Sequence, residues 1–197
     1  MTNFIIILIQ ILSVFIASSV HEFAHALIAD KLGDNTPRYN NRLTLNPIAH
    51  VDPIGALSLF LFRFGWSKPV PINPNNFQNP IWGTALVSIA GPTSNILLAV
   101  LSSLFIRVFP QFSYLVIPFI IINCALALFN LIPIAPLDGF KFVTGILPLK
   151  LRLKWENLEK YGPILLVLLI LPYSPISGIF TNYMRNGLDL IVNTILF

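Results

Sequence analysis

The fold is decided by an apolar stretch near the start of the chain, Phe4 to Ala29, which reads FIIILIQILSVFIASSVHEFAHALIA. A helix needs about 20 mostly apolar residues to cross a ~30 Å hydrocarbon core, and this stretch is longer than that. We therefore predict that it is the first transmembrane helix. A cleaved signal peptide would begin with basic residues and have an apolar core of only about 7–15 residues, so we do not expect this segment to be removed.

The composition of the whole chain supports this assignment. Of its 197 residues, 55% are hydrophobic and only 10% are charged, and the mean hydropathy is +0.78. The surface of a soluble domain is roughly a quarter or more charged, so lipid must be the solvent for most of this chain. The 12 basic residues outnumber the 8 acidic ones but form no stripe interleaved with aromatic residues, and no nucleic-acid partner is expected. Cys124 is the only cysteine, which excludes an internal disulfide and a cysteine-based metal site.

Further apolar stretches predict further membrane segments. Ile81–Phe109 and Phe112–Ile132 are each long enough to span the bilayer. Pro53–Trp66 is too short and leads into a proline-rich sequence, so we predict a re-entrant segment near residues 53–74. Before it, Arg42–Leu45 is predicted to form a short strand.

The tail leaves the number of spans open. It holds two apolar stretches, 163–171 and 176–197, which are short, interrupted by proline, or charged. We predict an all-α fold, a polytopic transmembrane helix bundle with about four to six membrane segments, which forms a single domain over residues 1–197. The sequence does not determine the oligomeric state.

The distribution of basic residues predicts the orientation. Most lie in two segments, Lys31–Lys68 and Lys141–Lys160, whereas the connection between the second and third spans has Arg107 alone. Short cytoplasmic loops carry the excess of Lys and Arg. If the re-entrant segment does not cross, both basic segments lie in the cytosol. We therefore expect a multi-pass protein of a prokaryotic plasma membrane whose N-terminus faces outward.

A candidate metal-binding motif lies near the predicted cytosolic end of the first helix. His21 and His25 are four residues apart, so a helix places both imidazoles on one face, as two metal ligands require. Glu22 follows directly, where it can reach a metal-bound water. The alternative is a polar helix end with two hydrogen-bonded histidines. Ionisable groups at membrane depth are costly, which favours the functional interpretation.

A catalytic zinc site usually has three protein ligands, so a third must come from elsewhere in the chain. Elimination among the eight carboxylates leaves Asp52 and Asp138. Asp138 follows two prolines that end the third span and precedes Gly139, which permits a tight turn back into the bundle. Spacing alone leaves two roles open for Asp138, a metal ligand or a cap of the next helix.

The sequence resembles the site-2 proteases, a family of zinc metalloproteases embedded in the membrane. The resemblance covers about Val14 to Lys141 and rests on a combination of motifs. These are His21-Glu22-Phe23-Ala24-His25, Ala90-Gly91-Pro92-Thr93-Ser94-Asn95, and Asn130 with Pro133 and Pro136-Leu137-Asp138-Gly139. The compact subgroup of the family is also similar in Leu43-Thr44-Leu45-Asn46-Pro47, His50-Val51-Asp52-Pro53 and Gly65-Trp66-Ser67-Lys68-Pro69-Val70. No segment between spans has room for the PDZ or cystathionine-synthase-type domains of many relatives.

The resemblance implies a site and an activity. It implies Zn²⁺ bound by His21, His25 and Asp138, with Glu22 as general base and acid. Asn95 and Asn130 match asparagines that are thought to hold the unwound substrate or to stabilise the oxyanion. The implied partners are the lipid bilayer and protein substrates that span or contact the membrane, cut near its cytosolic face.

Other functions remain open from the residues alone. The main alternative is a non-enzymatic metal-binding membrane protein or transporter, against which Glu22 argues because an ion carrier needs no base beside the metal. His50 and Asp52 either line a cavity or form a polar turn. The Pro69–Pro74 segment is either an edge for an extended substrate or a connector.

Overall fold

The computed structural model describes residues 2–62, 65–171 and 174–196, and within them the regular elements are helices and no sheet forms. The all-α prediction is therefore confirmed for these residues. The α-helices are α1 (Thr2–Lys31), α2 (Thr36–Tyr39), α3 (Pro47–His50), α4 (Pro53–Phe62), α5 (Pro80–Val108), α6 (Ser113–Asn130), α7 (Asp138–Ile146), α8 (Leu149–Glu156), α9 (Gly162–Ile170) and α10 (Ser177–Leu196).

Among the described residues, three helical stretches are long and apolar enough to cross a membrane: Phe4–Lys31, Pro80–Val108 and Pro110–Asn130. They match the three predicted spans, which confirms that part of the prediction. The helices pack on one another through small side chains, which let helix backbones approach closely. Buried examples are Ala17, Ala26, Ala29, Ala85, Ala99 and Ala127. The exposed side chains of the three long helices are largely Leu, Ile and Phe, as a lipid-facing surface requires.

Both basic segments lie at one end of this bundle, which we call the loop end. There α1 finishes and α5 begins, and there α6 also finishes, because the short connection 109–112 turns the chain at the opposite end. α7 packs against the first turns of α5 so tightly that a Cβ on Gly145 would collide with Ala85. The loop end therefore collects residues 32–62, 65–79 and 131–156.

The predicted strand at Arg42–Leu45 is wrong. This segment bends instead, because local hydrogen bonds occupy its backbone. The Thr44 carbonyl accepts a hydrogen bond from His50 Nε2 at 2.8 Å, and the Thr44 hydroxyl accepts one from the backbone N–H of Asn46 at 3.1 Å. The Asn46 side chain in turn caps α3.

The segment predicted to be re-entrant begins with α4, whose ten residues extend only about 15 Å. Val51 and Ser67 form an antiparallel bridge, and the Lys68 N–H donates to the His50 carbonyl at 2.9 Å. Residues 67–68 thus lie beside residues 50–51, on the other side of α4 in the chain.

The two tail helices differ in length and position. α9 is short, and Leu166 and Leu169 pack beside Ile132 and Leu137 at the loop end. α10 has 20 residues and runs along α6 and α5. Near its start Tyr183 donates to the Leu128 carbonyl, and near its end the Ile195 carbonyl accepts from Ser103 Oγ at 2.5 Å. α10 therefore extends from the loop end towards the opposite end.

Candidate metal centre

α1 places the two histidines of the motif together on its inner face. His21 and His25 lie one helical turn apart with their ring centroids separated by 4.6 Å. Both side chains are buried, and so is Glu22. His25 is six residues before Lys31, the last residue of α1, which puts it about 9 Å from that end of the helix. The motif therefore lies inside the bundle, close to the loop end.

Asp138 completes the cluster from α7. α6 ends at Asn130, and the chain turns back so closely that a Cβ on Gly139 would collide with the Leu131 carbonyl. Asp138 Oδ2 then lies 3.0 Å from His21 Nε2 and 3.3 Å from His25 Nε2. Leu137 is the N-cap of α7, which has no side-chain cap, so Asp138 is directed at the histidines and does not cap the helix.

The other ring nitrogen of each histidine has its own partner. His25 Nδ1 lies 2.7 Å from the carbonyl of Val87 on α5, which can only accept a hydrogen bond. His25 therefore carries a proton on Nδ1, and its Nε2 faces the cluster, 3.3 Å from Asp138 Oδ2. His21 Nδ1 lies 2.6 Å from Asn95 Oδ1, also on α5. Such partners of the second nitrogen orient histidine ligands in metal sites.

Gly91 of α5 provides the space that an ion would need. A Cβ built at this position would lie within 2.5 Å of the Nε2 atoms of both His21 and His25. Zinc binds imidazole nitrogen at about 2.0–2.1 Å, so the volume left by the missing side chain overlaps the position of a metal. Among the described residues, His21, His25 and Asp138 are the group whose ligand atoms converge, all within 4.8 Å of one another. Two neutral imidazoles and one carboxylate suit a catalytic zinc site that keeps an open position.

Glu22 is held by the segment that follows the bridge at Ser67. Ser67 Oγ donates to Glu22 Oε1 at 2.5 Å, and the backbone N–H of Val70 donates to Oε2 at 3.2 Å. Both carboxylate oxygens are therefore oriented by a part of the chain 45 or more residues away. We call residues 67–73 the strap.

Two buried charged groups anchor the strap. Arg42 donates to the carbonyls of Ala49, Lys68 and Pro69, the first at 2.6 Å and the last at 3.1 Å. Burial lowers the pKa of the Arg42 guanidinium, while the nearby Glu22 carboxylate acts in the opposite sense. Both strap carbonyls are thus held by a single side chain.

Asp34 holds the other end of the strap. Its carboxylate accepts from the Asn73 N–H at 2.7 Å, from Asn76 Nδ2 at 2.7 Å and from Thr36. Burial acts to raise the pKa of Asp34, but these donors outweigh it and the pKa lies below its ordinary value. The carboxylate is therefore charged at neutral pH and ties the strap to the end of α1.

Several predicted residues lie outside the cluster. Asn130 donates to the Leu126 carbonyl of its own helix at 2.9 Å. Asp52 accepts from the backbone N–H groups of Ile54 and Gly55, both at 2.9 Å, and so caps α4. His50 is bonded to Thr44 in the turn described above. Between the two roles left open for His50 and Asp52, the structure favours the polar turn.

Sequence reasoning missed four contributors to the site: Asp34, Arg42, Ser67 and Asn123. Asn123 is fully buried on α6 and bonded to Asn95. A signal for it existed, because an asparagine inside an apolar span is costly unless it is paired. Arg42 and Ser67 carried no comparable signal, since their partners lie in parts of the chain that only folding brings together.

The fold and the site define a multi-pass membrane protein with a candidate metal site of the HExxH type. The chain is 36% identical over 180 residues to "Putative zinc metalloprotease YwhC" of Bacillus subtilis, a match that covers 85% of this chain and 81% of the relative. It is 28% identical over 161 residues to "Putative zinc metalloprotease Rip2" of Mycolicibacterium smegmatis, covering 77% of this chain and 62% of that protein. No protein-family model matches the chain, and no solved structure gives a significant match.

The chain belongs to the site-2 protease family of zinc metalloproteases. The resemblance found in its motifs is therefore confirmed by similarity over most of its length. As a member of this family, it is a metalloendopeptidase whose substrates are proteins.

Proposed function

We propose that this protein is an intramembrane zinc endopeptidase that hydrolyses peptide bonds in or beside transmembrane segments, near the cytosolic face. The observation that carries the proposal is the convergence of His21 Nε2, His25 Nε2 and Asp138 Oδ2 beside Gly91, inside a bundle of membrane-length helices. In this proposal the three residues are the zinc ligands and Glu22 is the general base and acid.

The chemistry divides between the ion and the protein. A bound zinc ion supplies Lewis acidity, which activates water and polarises the scissile carbonyl. Glu22 takes the proton of the attacking water and passes it to the leaving amine. The hydroxyl of Ser67 and the N–H of Val70 orient the Glu22 carboxylate for this transfer. His21 and His25 each direct Nδ1 at a hydrogen-bond acceptor, which leaves Nε2 as the atom that binds the ion.

The substrate must present an unfolded strand to this site. A helical substrate keeps its carbonyls in hydrogen bonds, so it must unwind locally before attack. The strap lies beside Glu22, forms no helix and offers a place for the freed strand, which supports the edge over the connector. Asn130 is the candidate for holding the substrate. The amide of Asn95 is occupied by His21, so we assign Asn95 the task of orienting that ligand.

The membrane arrangement follows from the loop end. We place the loop end in the cytosol, because both basic segments collect there. α4 then enters the membrane part-way and returns, as the bridge between Val51 and Ser67 supports. α10 is a fourth span, antiparallel to α6, and the N-terminus faces outward. Residues 1–197 form a single catalytic domain in this arrangement.

Cysteine labelling tests the topology. In a Cys124→Ala background, cysteines at Asn40 and Asn157 are expected to react only with reagent supplied from the cytosol, and cysteines at Gln111 and Asn193 only from outside. All four positions are exposed, so access depends on the side of the membrane. The measurement is labelling by an impermeant maleimide in intact cells and in inverted vesicles. Asn40 and Asn157 on opposite faces would show that α4 crosses, and Asn193 on the cytosolic face would show that α10 does not.

A cleavage assay tests the activity itself. Purified full-length protein in detergent or liposomes is expected to cut single-span peptides with a helix-destabilising residue near the cytosolic end. A zinc chelator should abolish cleavage, and added zinc should restore it, because the ligands hold the ion reversibly. Zinc binding by the wild type without cleavage of any membrane peptide would favour the non-enzymatic alternative.

A further inference from the structure

A buried asparagine, Asn123, connects the third span to the metal centre. Its side chain is fully buried and lies at the contact of α6 with α1 and α5. Asn123 Nδ2 donates to the Phe119 carbonyl at 2.9 Å, and Asn123 Oδ1 accepts from Asn95 Nδ2 at 2.9 Å. A polar amide at this depth is costly unless its groups are satisfied, so the pairing demands an explanation.

The direction of every hydrogen bond in this network follows from two backbone carbonyls. The Phe119 carbonyl can only accept, so the NH₂ of Asn123 must face it and Oδ1 must face Asn95. Asn95 Nδ2 donates to that oxygen and also to the Ala17 carbonyl at 3.1 Å, which again can only accept. The NH₂ group of Asn95 is therefore fully used, and its Oδ1 is left to face His21.

His21 then has one possible tautomer. Asn95 Oδ1 can only accept, so His21 Nδ1, 2.6 Å away, must carry the proton. In the neutral imidazole Nε2 is then the unprotonated atom, and it lies 3.0 Å from Asp138 Oδ2, on the side of the cluster where the proposed ion binds. The Val87 carbonyl holds the proton of His25 on Nδ1 directly. For His21 the same effect needs two side chains, Asn95 on α5 and Asn123 on α6.

We propose that Asn123 is a positioning residue of the metal centre, which acts through Asn95 to hold His21 in the Nδ1–H tautomer with Nε2 available to the ion. This inference rests on the proposed metal site. In this proposal α6 helps to orient the metal ligand His21 and also packs against the neighbouring helices. Removal of such outer partners weakens metal binding by roughly 10–100-fold in other proteins.

The test measures zinc affinity without reference to activity. Full-length protein in detergent is titrated with zinc in competition with a chromophoric chelator. Asn95→Leu, which removes the acceptor for His21, is expected to weaken binding by roughly 10–100-fold, and Asn123→Leu by about 10-fold. Asn123→Asp should stay close to the wild type, because a buried carboxyl group is protonated and then donates to the Phe119 carbonyl while it still accepts from Asn95. Asn123→Ala replaces Asn123→Leu in the assay if the leucine variant does not fold.

A double variant separates the relay from simple packing. If Asn123 acts through Asn95, the double variant Asn95→Leu, Asn123→Leu should bind zinc no more weakly than Asn95→Leu alone. Cys124→Ala is the matched control, since Cys124 is the next residue of α6, is equally buried, and packs towards α10. It is expected to lower the thermal stability and leave the zinc affinity unchanged.

Two results would overturn the inference. One is that Asn123→Leu lowers stability as Cys124→Ala does while its zinc affinity stays at the wild-type value, which would make Asn123 a packing residue only. The other is that the effects of Asn95→Leu and Asn123→Leu on affinity add. Failure of the proposed metal site looks different, because then the wild type binds no zinc, or binds it equally well after His21→Ala.

Discussion

Gly91→Ala is expected to abolish zinc binding and proteolysis together. The added methyl group would lie within 2.5 Å of the Nε2 atoms of both His21 and His25, where the ion itself must lie. α5 and α1 are closely packed at this point, so the methyl group cannot move aside without separating two long helices.

The measurement is zinc content by atomic absorption, with cleavage of a single-span peptide in the same preparation. Gly178→Ala is the matched control, because it makes the same chemical change on α10, where a Cβ would meet nothing within 4 Å. The control should retain zinc and activity. Helix content by circular dichroism checks that Gly91→Ala is folded. A folded Gly91→Ala that holds one zinc per chain would show that the ion binds elsewhere.

Glu22→Gln is expected to retain zinc while cleavage falls by about 10²–10⁴-fold or more. The change keeps the shape of the side chain and leaves His21, His25 and Asp138 in place, but it removes the group that accepts the proton. Zinc content and cleavage rate measured on one preparation separate a lost base from a lost ion. Retained cleavage would overturn the assignment of Glu22 as the general base.

The contacts of Glu22 require a second variant in this experiment. Glutamine cannot accept from both Ser67 and Val70, so Glu22→Gln also disturbs the strap. Ser67→Ala removes one of these contacts and leaves the carboxylate. We expect its loss of activity to be much smaller than that of Glu22→Gln. Equal losses in the two variants would assign the defect to the strap and not to the proton acceptor.

Asp138→Asn is expected to lower both the zinc content and the cleavage rate. It removes the anionic ligand that lies 3.0 and 3.3 Å from the two imidazole nitrogens. Asp52→Asn is the comparison, since Asp52 caps α4 and lies outside the cluster. Full zinc in Asp138→Asn together with zinc loss in Asp52→Asn would mean that the third ligand is misassigned.

Features that depend on residues near one another in the chain were predictable. The spans follow from the length and hydropathy of continuous stretches. The pairing of His21 with His25 follows from the helical repeat, since residues four apart always share a face. The prediction of a strand at Arg42–Leu45 was wrong, because a strand needs a pairing partner. In this structure side-chain hydrogen bonds of Thr44 with Asn46 and His50 form a turn there.

The role of Asp138 as the proposed third ligand could be predicted only in part from the sequence. Spacing left Asp138 open between ligand and cap, and the family resemblance pointed to the ligand. The geometry favours the ligand, because Leu137 is the N-cap and the Asp138 carboxylate turns towards His21, 117 positions earlier in the chain. Gly139 allows this turn by close approach to Leu131.

By itself, the sequence determined that most of this chain is too apolar for water, that three of its helices are long and apolar enough to cross a membrane, and that two histidines and a glutamate share one of them. These properties depend only on composition and on the short-range repeat of the helix. Only the tertiary structure decided what surrounds them: the space beside Gly91, the strap on Glu22, and the chain of amides from Asn123 to His21. The amide of Asn95 and the ring of His21 are 74 residues apart, and no local pattern encodes which buried groups meet across packed helices. The packing of α1, α5 and α6 decides which buried polar groups meet, because each of them needs a hydrogen-bond partner.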